Sequence, residues 1–359
     1  MTTTDTPDTD LDLIHNVTSH FGTIFTWDYE QRRTPLIKLY EKAKTSQWNV
    51  TTDLDWSIDV DPEKSASEMG VGTTSRFGAL QGIEHSPLRN FGDKEWLQVS
   101  VEIQNSLLSQ FMHGEQGALL CTARIVETVP WIDAKYYAAT QVMDEARHVE
   151  VFARYLDEKL SGEYRINDNL RSLLDDILTD SRWDITYLGM QIMVEGLALA
   201  AFGMMHQITT EPLLKKILRY VMSDEARHVA FGVLSLQEYY AELSASEMRE
   251  RQEFAFDVAC RLQQRFMQAE VWERMGVDPV EVRRLLDANN PPEQQMFQTM
   301  LFSKIVPNCK RLGLLDTADG WLRERFTETG VIQFEDWADT GEEYAMLDEV
   351  SRDRAEASS

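Results

Sequence analysis

The hexapeptide DEARHV occurs twice in this chain, at Asp144–Val149 and at Asp224–Val229, with an offset of 80 residues. Each copy contains the pattern Glu-x-x-His. A lone glutamate on an apolar stretch lies thirty residues before the glutamate of each copy: Glu115 in HGEQGALL and Glu195 in VEGLALAA. These two glutamates are also 80 residues apart, so the chain contains an internal repeat.

The spacing within each half predicts a helical hairpin. Two antiparallel helices place residues at equal height when those residues are equally distant from the turn. The midpoint of the first half is Pro130, and the midpoint of the second half, residue 210, lies just before Pro212. Proline ends helices, and each arm of fifteen residues is about 22 Å long. Two such hairpins predict an all-α fold, a ferritin-like four-helix bundle with extra flanking helices.

The rest of the chain is divided by composition. Residues 96–275 are rich in Ala, Leu, Met, Glu, Gln and Arg and nearly lack strand-like alternation, which favours helix. Within the part before them, Ile37–Trp48 is a predicted helix, and the glycines of residues 71–87 favour a loop. The predicted divisions are a disordered tail (1–12), an N-terminal helical and loop extension (13–95), the bundle (96–275), C-terminal helices (276–340) and an acidic tail (341–359).

Charge and cysteine content exclude several classes of protein. A net charge of −25 disfavours binding to nucleic acid or to anionic lipid. The three cysteines are odd in number and lack CxxC spacing, and the N-terminus lacks the pattern of a signal peptide, so we expect a cytoplasmic protein. The apolar stretch Leu188–Met205 has nearly the length of a membrane span. Because Glu195 lies in its middle, we interpret it as a buried core helix and expect no membrane.

The repeated motif has the chemistry of a two-metal site. Residues three apart share one face of a helix, so the Glu and His of each copy can point into one space. Four carboxylates neutralise two divalent cations, whereas without cations they would repel one another. The absence of cysteine ligands disfavours structural zinc, while iron and manganese cannot be distinguished by ligand type. The predicted metal ligands are Glu115, Glu145, His148, Glu195, Glu225 and His228.

The residues beside these ligands are candidates for outer hydrogen-bond partners. Metal-bound histidine usually donates its second N–H to a carboxylate or carbonyl. We expect Asp144 to hold the histidine of the second copy and Asp224 to hold that of the first, with Arg147 and Arg227 balancing the aspartate charges. Surface ion pairs are the alternative interpretation. Two histidines outside the motif, His113 and His206, are not expected to be metal ligands. His113 faces away from Glu115, and His206 is three helical turns from Glu195.

Apolar residues close to the ligands in sequence are candidates for a substrate pocket, although simple core packing explains most such positions. The candidates are Phe111, Phe152, Leu199 and Phe202. A pocket of this kind suits a small aromatic or aliphatic substrate better than a sugar or phosphate. No catalytic residue is predicted beyond the metal ligands.

Over residues 100–240, the doubled motif resembles the ferritin-like di-iron carboxylate superfamily. This group includes multicomponent monooxygenase hydroxylases, aryl-CoA epoxidases, arylamine N-oxygenases, ribonucleotide reductase small subunits, acyl carrier protein desaturases and R2-like ligand-binding oxidases. The resemblance implies a monooxygenase with two iron ions, or a Mn/Fe pair, and O₂ as co-substrate. It also implies hydroxylation, epoxidation or N-oxygenation of a small molecule and a homodimer. The chain has no GxGxxG fingerprint or ferredoxin-type cysteine cluster, so electrons would come from an external reductase or ferredoxin.

Three positions depart from individual families. Phe152 stands where ribonucleotide reductase small subunits usually have a radical tyrosine. Leu199 stands where multicomponent monooxygenases have threonine, and Val221 where arylamine N-oxygenases have an extra histidine ligand. Three alternatives therefore stay open: an oxidase or desaturase of the R2-like type, a ferroxidase or peroxidase, and a helical protein with a vestigial site.

Overall fold

The computed structural model describes residues 14–160, 162–289 and 292–340, and these residues contain helices and no β-strand, which confirms the all-α prediction. The α-helices are α1 Thr34–Thr45, α2 Pro62–Gly78, α3 Asp93–Thr128, α4 Ile132–Lys159, α5 Asp168–Thr179, α6 Trp183–Tyr187, α7 Glu195–Ile208, α8 Pro212–Tyr240, α9 Ala245–Arg265, α10 Ala269–Arg274, α11 Pro279–Asn289, α12 Pro292–Met300, α13 Ile305–Arg311 and α14 Trp321–Glu328. A π-helix, Leu188–Val194, joins α6 to α7, and short 3₁₀ turns lie at Ala79–Gly82, Ala318–Gly320 and Val331–Phe334. The predicted tails, 1–12 and 341–359, lie outside the described residues.

The two predicted hairpins are confirmed. Helix α3 ends at Thr128 and α4 begins at Ile132, so Pro130 lies in the turn between them. Helix α7 ends at Ile208 and α8 begins at Pro212. Helix α3 packs along α4, and α7 packs along α8. Each turn therefore falls at the midpoint that the glutamate spacing predicts.

The start of α8 is fixed by local chemistry. The Glu211 side chain accepts hydrogen bonds from the backbone N–H groups of Leu213 and Leu214, which have no partner within the helix. Pro212 occupies the first helical turn, where its missing N–H costs nothing. The Tyr155 hydroxyl on α4 also donates to Glu211, at 2.9 Å. This contact joins the turn of the second hairpin to a helix of the first.

The loop predicted for residues 71–87 is wrong over most of its length. Helix α2 continues to Gly78 and is followed by the 3₁₀ turn Ala79–Gly82. Each glycine in a helix costs about 1 kcal/mol relative to alanine. The N-cap Asp61, which accepts from two backbone N–H groups, and the packing of α2 along α3 offset that cost. The predicted helix Ile37–Trp48 is α1, which ends at Thr45.

The flanking helices pack directly on the bundle. Helix α1 lies against both α4 and α8, and α2 lies along α3. On the other side, α9 packs against α5, α14 and the π-helix. The boundaries drawn between extension, bundle and C-terminal helices stay predictions, because these parts share one continuous set of contacts.

The helix formed by α6, the π-helix and α7, Trp183–Ile208, is long and apolar enough to cross a membrane by length and composition alone. Most of it is buried inside the protein, with 83% of its most apolar window covered by other residues. One such helix is also what the core of a helical bundle requires, and Glu195 lies at its middle.

Candidate metal centre

The bundle brings the six predicted ligands together. Glu115 lies on α3, Glu145 and His148 on α4, Glu195 on α7, and Glu225 and His228 on α8, and none is more than 5% exposed. Their ligand atoms form two groups, each with all atoms within 4.8 Å of one another: Glu115, Glu145, His148 and Glu225 in one, and Glu145, Glu195 and His228 in the other. We call these the His148 cluster and the His228 cluster. Glu145 belongs to both.

Both imidazoles turn Nδ1 toward the carboxylates. His148 Nδ1 lies 3.3 Å from Glu115 Oε2, 3.3 Å from Glu145 Oε2 and 3.1 Å from Glu225 Oε1. His228 Nδ1 lies 3.0 Å from Glu145 Oε1 and 3.5 Å from Glu225 Oε1. Each histidine therefore presents one ring nitrogen to the centre and keeps the other for a second partner.

The residues fit a pair of cations. Several buried polar atoms make no hydrogen bond, although some of them lie close to an imidazole or carboxylate: Glu145 Oε2, Glu195 Oε2, both carboxylate oxygens of Glu225, and His228 Nδ1. A buried carboxylate oxygen without a partner is costly. These atoms surround one small volume, and their mixed oxygen and nitrogen donors suit iron or manganese. Two divalent cations bound there would satisfy atoms that the protein itself leaves without partners.

Burial and mutual repulsion perturb the carboxylates strongly. Burial raises the pKa of Glu115 to about 8, and the neighbouring charge of Glu225 adds to this rise. Burial likewise raises the pKa of Glu195 well above its usual value, with the charges of Glu145 and Glu225 contributing. The pKa of Glu145 shifts the other way. Burial raises it, but the contacts with His228 and His148 outweigh burial and lower the pKa overall. A bound cation would replace the protons that this crowding otherwise retains.

The Nε2 atoms of the two histidines contact aspartates in a crossed arrangement. His148 Nε2 lies 3.2 Å from Asp224 Oδ2, and His228 Nε2 lies 3.3 Å from Asp144 Oδ2. The guanidinium of Arg147 contacts both aspartates, and so does that of Arg227. The four residues flanking the ligands therefore form one buried network, which fixes the orientation of both rings.

The segment directly after helix α1 contributes two outer partners that the sequence did not reveal. Trp48 Nε1 donates to Asp224 Oδ2 at 2.8 Å. Gln47 Nε2 donates to Asp144 Oδ1 at 3.1 Å, and Gln47 Oε1 accepts from Arg147 at 2.7 Å. Both residues follow the end of α1, far from the repeat in sequence, so no spacing argument points to them.

A third missed residue is Gln141, which is fully buried. Its Nε2 atom donates to Glu145 Oε1 and to Glu195 Oε1, each at 2.9 Å. Gln141 lies one turn before Glu145 and on the same face of α4. Its i−4 spacing from a predicted ligand is therefore a signal that could have identified it.

The π-helix Leu188–Val194 ends directly before Glu195, and sequence reasoning also missed it. Single π turns within α-helices occur frequently at functional sites. The segment packs closely on α8: a Cβ built on Gly232 would lie 2.6 Å from Gln191 Cβ. Its largely apolar sequence, LGMQIMV, carries no marker that distinguishes it from an ordinary buried α-helix.

A small cavity of about 10 Å³ lies beside the carboxylates. Its lining combines three candidate ligands with apolar residues: Phe111, Gly114, Glu115, Ala118, Val194, Glu195, Ala198 and Glu225. This volume holds about one water molecule. Neither histidine lines it, so the cavity opens on the carboxylate side of the centre.

Of the predicted pocket residues, Phe111 lines this cavity. Phe202 and Phe152 pack around Phe111, with ring centroids 4.5 and 6.5 Å away. Leu199 does not line it. Val194 and Ala198 are one helical turn apart and share the stripe that faces the cavity, whereas Leu199 lies roughly 100° further around the helix.

The histidines that were not expected to be ligands belong to neither cluster. His113 Nε2 lies 2.8 Å from the carbonyl oxygen of Tyr164. His206 lies half-buried near the end of α7, more than two turns from Glu195.

Solved structures with a similar fold include R2-like ligand-binding oxidases. A tyrosine-to-phenylalanine variant with an aerobically reconstituted Mn/Fe cofactor has a TM-score of 0.53 and 18% identity, and the match covers 80% of this chain and 94% of that chain. A second such variant, with an anaerobically reconstituted Mn/Fe cofactor, has a TM-score of 0.53 and 19% identity over 80% and 95% of the two chains. The oxidase with an aerobically reconstituted metal cofactor after photoconversion has a TM-score of 0.51 and 19% identity over 79% and 94%. At these identities the likeness establishes the ferritin-like fold.

No curated protein matches the chain. The family described as P-aminobenzoate N-oxygenase AurF matches residues 122–313, which is more than half of the chain. The matched range contains five of the six candidate ligands, since Glu115 lies just before it. Val221, which stands where the arylamine N-oxygenases have an extra histidine, is fully buried and apolar. The chain therefore belongs to the AurF family, within the ferritin-like di-iron carboxylate superfamily, and is an oxidoreductase.

Proposed function

We propose that this di-iron enzyme is a monooxygenase that transfers one atom of O₂ to a small, neutral aromatic substrate. The observation that carries the proposal is the position of the cavity. On one side it is lined by the carboxylates of Glu115, Glu195 and Glu225, and on another by the Phe111 ring. An aromatic substrate replacing or displacing Phe111 would lie next to the metal ligands.

Two iron ions held by the six candidate ligands would supply electrons for the reduction of O₂. The protein's own residues would perform three tasks. The Asp144 and Asp224 carboxylates hold the two imidazoles in place, and the surrounding core excludes water from the centre. The oxygens of Glu225 make no hydrogen bond and contact only the two imidazoles, so no hydrogen bond to the protein would fix its mode of coordination. The Mn/Fe cofactors of the similar oxidase structures make a mixed pair the alternative metal content.

The chemistry of the cavity favours a neutral substrate over a carboxylic acid. The family description names P-aminobenzoate, which carries a negative charge at neutral pH. No lysine or arginine is among the described residues that line the cavity, and three of the lining residues are themselves acids. Even with these acids neutralised by two cations, the lining offers no basic side chain to pair with a substrate carboxylate, and burying an unpaired charge is costly. The family description favours the nitrogen of an arylamine as the oxygenated atom, so a neutral arylamine is the preferred substrate class.

A substrate ring needs more space than the described cavity provides. A cavity of roughly 150 Å³ is known to bind benzene, and this one has a volume of about 10 Å³. Rotation of Phe111 away from Glu115 would enlarge it, because Phe111 stands between the cavity and the Phe152 and Phe202 rings. Substrate binding is therefore expected to require movement of the Phe111 side chain.

An oxidase of the R2-like type is the second candidate. Val221 supplies no metal ligand at the place where arylamine N-oxygenases have a seventh, which leaves six ligands. The similar folds also belong to R2-like ligand-binding oxidases. Such an enzyme would consume O₂ and oxidise its ligand without placing an oxygen atom in it.

The electron donor is proposed to be a separate reductase or ferredoxin. The three cysteines are free and dispersed, and two of them are buried, so they do not form a redox cluster. The net charge of −25 would favour a donor with a basic docking surface. A homodimer in the cytoplasm, without nucleic-acid or membrane partners, completes the proposal.

The proposal is tested with isotopically labelled oxygen. Iron-loaded enzyme is incubated with a chemical reductant, ¹⁸O₂ and a panel containing aniline, toluene and 4-aminobenzoate. Monooxygenation of a neutral arylamine predicts ¹⁸O in the aniline product and less conversion of 4-aminobenzoate. Oxygen consumption with an oxidised but unlabelled product would favour the oxidase. Oxidation of Fe(II) with no change in any organic compound would contradict both candidates.

A further inference from the structure

Gln141 links the two halves of the metal centre. Its amide donates to Glu145, on its own helix, and to Glu195, which lies on α7 in the other hairpin. The side chain is fully buried, so water does not compete for these hydrogen bonds. One amide group thus holds two carboxylates that come from different copies of the repeat.

The second half of the repeat has no equivalent contact. The position 80 residues after Gln141 is Val221, which is buried and has no polar side-chain group. Both carboxylate oxygens of Glu225 lack a hydrogen-bond partner. In Glu145 and Glu195, by contrast, one oxygen is held by Gln141 and the other makes no hydrogen bond.

The two clusters also differ in their number of carboxylates. The His148 cluster contains three, and the His228 cluster contains two, Glu145 and Glu195. More negative ligands bind a divalent cation more tightly, so the first ion should enter the His148 cluster. The second ion then depends on Glu195 and on Glu145 Oε1, the oxygen that lies 3.0 Å from His228, and Gln141 contacts both. The other oxygen of Glu145, Oε2, lies 3.3 Å from His148 and has no contact with Gln141.

We propose that Gln141 is a positioning residue that fixes Glu145 and Glu195 for the second metal ion and so makes the two metal positions unequal. The inference rests on the two-metal centre of the proposed function and adds how that centre loads. An amide that holds both carboxylates in place before the ion arrives reduces the conformational freedom lost on binding.

The test is a titration of the metal-free, full-length protein with Co²⁺, followed by visible absorption and by the number of cobalt ions per chain. The unaltered protein should bind two ions in two resolved steps. Gln141→Met keeps the side-chain length and removes the N–H donors. It should weaken the second step by roughly 10–100-fold, the usual cost of losing an outer partner of a metal ligand, and leave the first step unchanged.

If Gln141 served only in packing, the two substitutions Gln141→Met and Gln141→Asn would rank differently in their effect on the second binding step. Gln141→Asn keeps the amide but shortens the side chain, so it should retain one contact and weaken the second step less than Gln141→Met. If Gln141 only filled space, methionine would be tolerated and asparagine, which leaves a cavity, would be the worse substitution. That reversed order would overturn the proposal.

Gln191→Met is the matched control. Gln191 is an equally buried glutamine, and its amide hydrogen bond goes to Thr122 rather than to a candidate ligand. Both binding steps should be unchanged in this variant. Circular dichroism checks folding, and if Gln141→Met does not fold, the comparison of Gln141→Asn with Gln191→Met decides.

The outcomes separate this inference from the proposed function. Two ions in the unaltered protein with an unchanged second step in Gln141→Met would overturn the role of Gln141 and leave the two-metal enzyme standing. No cobalt bound by the unaltered protein would overturn both.

Discussion

The two halves of the repeat have the same ligands but different surroundings. On one side of the centre, Phe111 and Phe152 from the first half pack together with Phe202 from the second half. The positions 80 residues away from these three are occupied by Gln191, Gly232 and Thr122. Gln191 contacts the other two residues of this set: its amide donates to Thr122, and its Cβ lies close to Gly232. An aromatic cluster on one side thus corresponds to a compact polar cluster on the other.

This difference shows how a duplicated metal site becomes an asymmetric enzyme. The ligands are equivalent because each pair of helices must supply the same charges to the two cations. The aromatic cluster lies beside the cavity, whereas Gln191, Gly232 and Thr122 of the polar cluster do not line it. Substrate is therefore expected to approach from the side of Phe111.

The largest expected effect comes from the ligand that both clusters share. Glu145→Ala should abolish binding of both metal ions, because Glu145 belongs to the His148 cluster and to the His228 cluster. Glu195→Ala should retain about one ion per chain, because Glu195 belongs to the His228 cluster and not to the His148 cluster. Metal analysis by mass spectrometry measures both. Equal metal content in the two variants would contradict the division into clusters.

Substitution in the aromatic cluster should both destabilise the protein and open the cavity. Phe111→Ala is expected to lower the free energy of unfolding by about 3–5 kcal/mol, the usual cost of removing a buried phenylalanine. The enlarged cavity should also bind benzene, which would raise the melting temperature of the variant. Gln191→Ala, at the repeat-equivalent position, is the control. If benzene raised the melting temperature of both variants equally, the aromatic and polar sides would not differ in their capacity to form a binding cavity.

The tryptophan next to α1 should contribute through one hydrogen bond. Trp48→Phe keeps an aromatic ring but leaves Asp224 without its indole donor. A hydrogen bond to a charged group contributes about 1.5–3 kcal/mol, so chemical denaturation should show a loss in this range. Tyr220→Phe removes a hydroxyl from the ring stacked on Trp48 and serves as the control. A Trp48→Phe variant as stable as this control would show that Asp224 does not need the indole.

The polar side should be intolerant of added volume. Gly232→Ala places a Cβ 2.6 Å from Gln191 Cβ, which is side-chain stem and cannot easily move, so unfolding should become easier by about 1–3 kcal/mol. Gly203→Ala is the control, because its nearest neighbour, Met222 Cε, would lie 3.8 Å away. This alanine should stabilise α7 by about 0.5–1 kcal/mol. Thermal unfolding of both variants distinguishes a tight contact from a general intolerance of alanine.

Much of the fold could be predicted because the repeat fixes geometry. The equal spacing of glutamates about Pro130 and residue 210 defined both hairpins, and helical periodicity placed each glutamate and histidine pair on one face. The contacts of Asp144 and Asp224 followed from the same symmetry. Residues of the two halves that differ were harder to interpret, since repetition carries no information about them.

The missed features depend on contacts between segments distant in sequence. Gln47 and Trp48 reach the aspartates only because α1 packs across α4 and α8. The π-helix before Glu195 depends on packing against α8 and α9. Helix α2 formed despite its glycines because its cap and its contact with α3 outweigh local preference. Leu199 was misplaced because spacing alone does not say which of two neighbouring faces borders a cavity.

Anomalous X-ray diffraction from crystals of iron-loaded protein, recorded at the iron and manganese absorption edges, tests whether both halves of the repeat jointly hold two metal ions. We expect two anomalous peaks between His148 and His228, about 3.5–4 Å apart as in other two-metal sites. One peak should contact the His148 cluster and the other the His228 cluster, with Glu145 between them. A single peak, or peaks away from these six residues, would contradict this expectation.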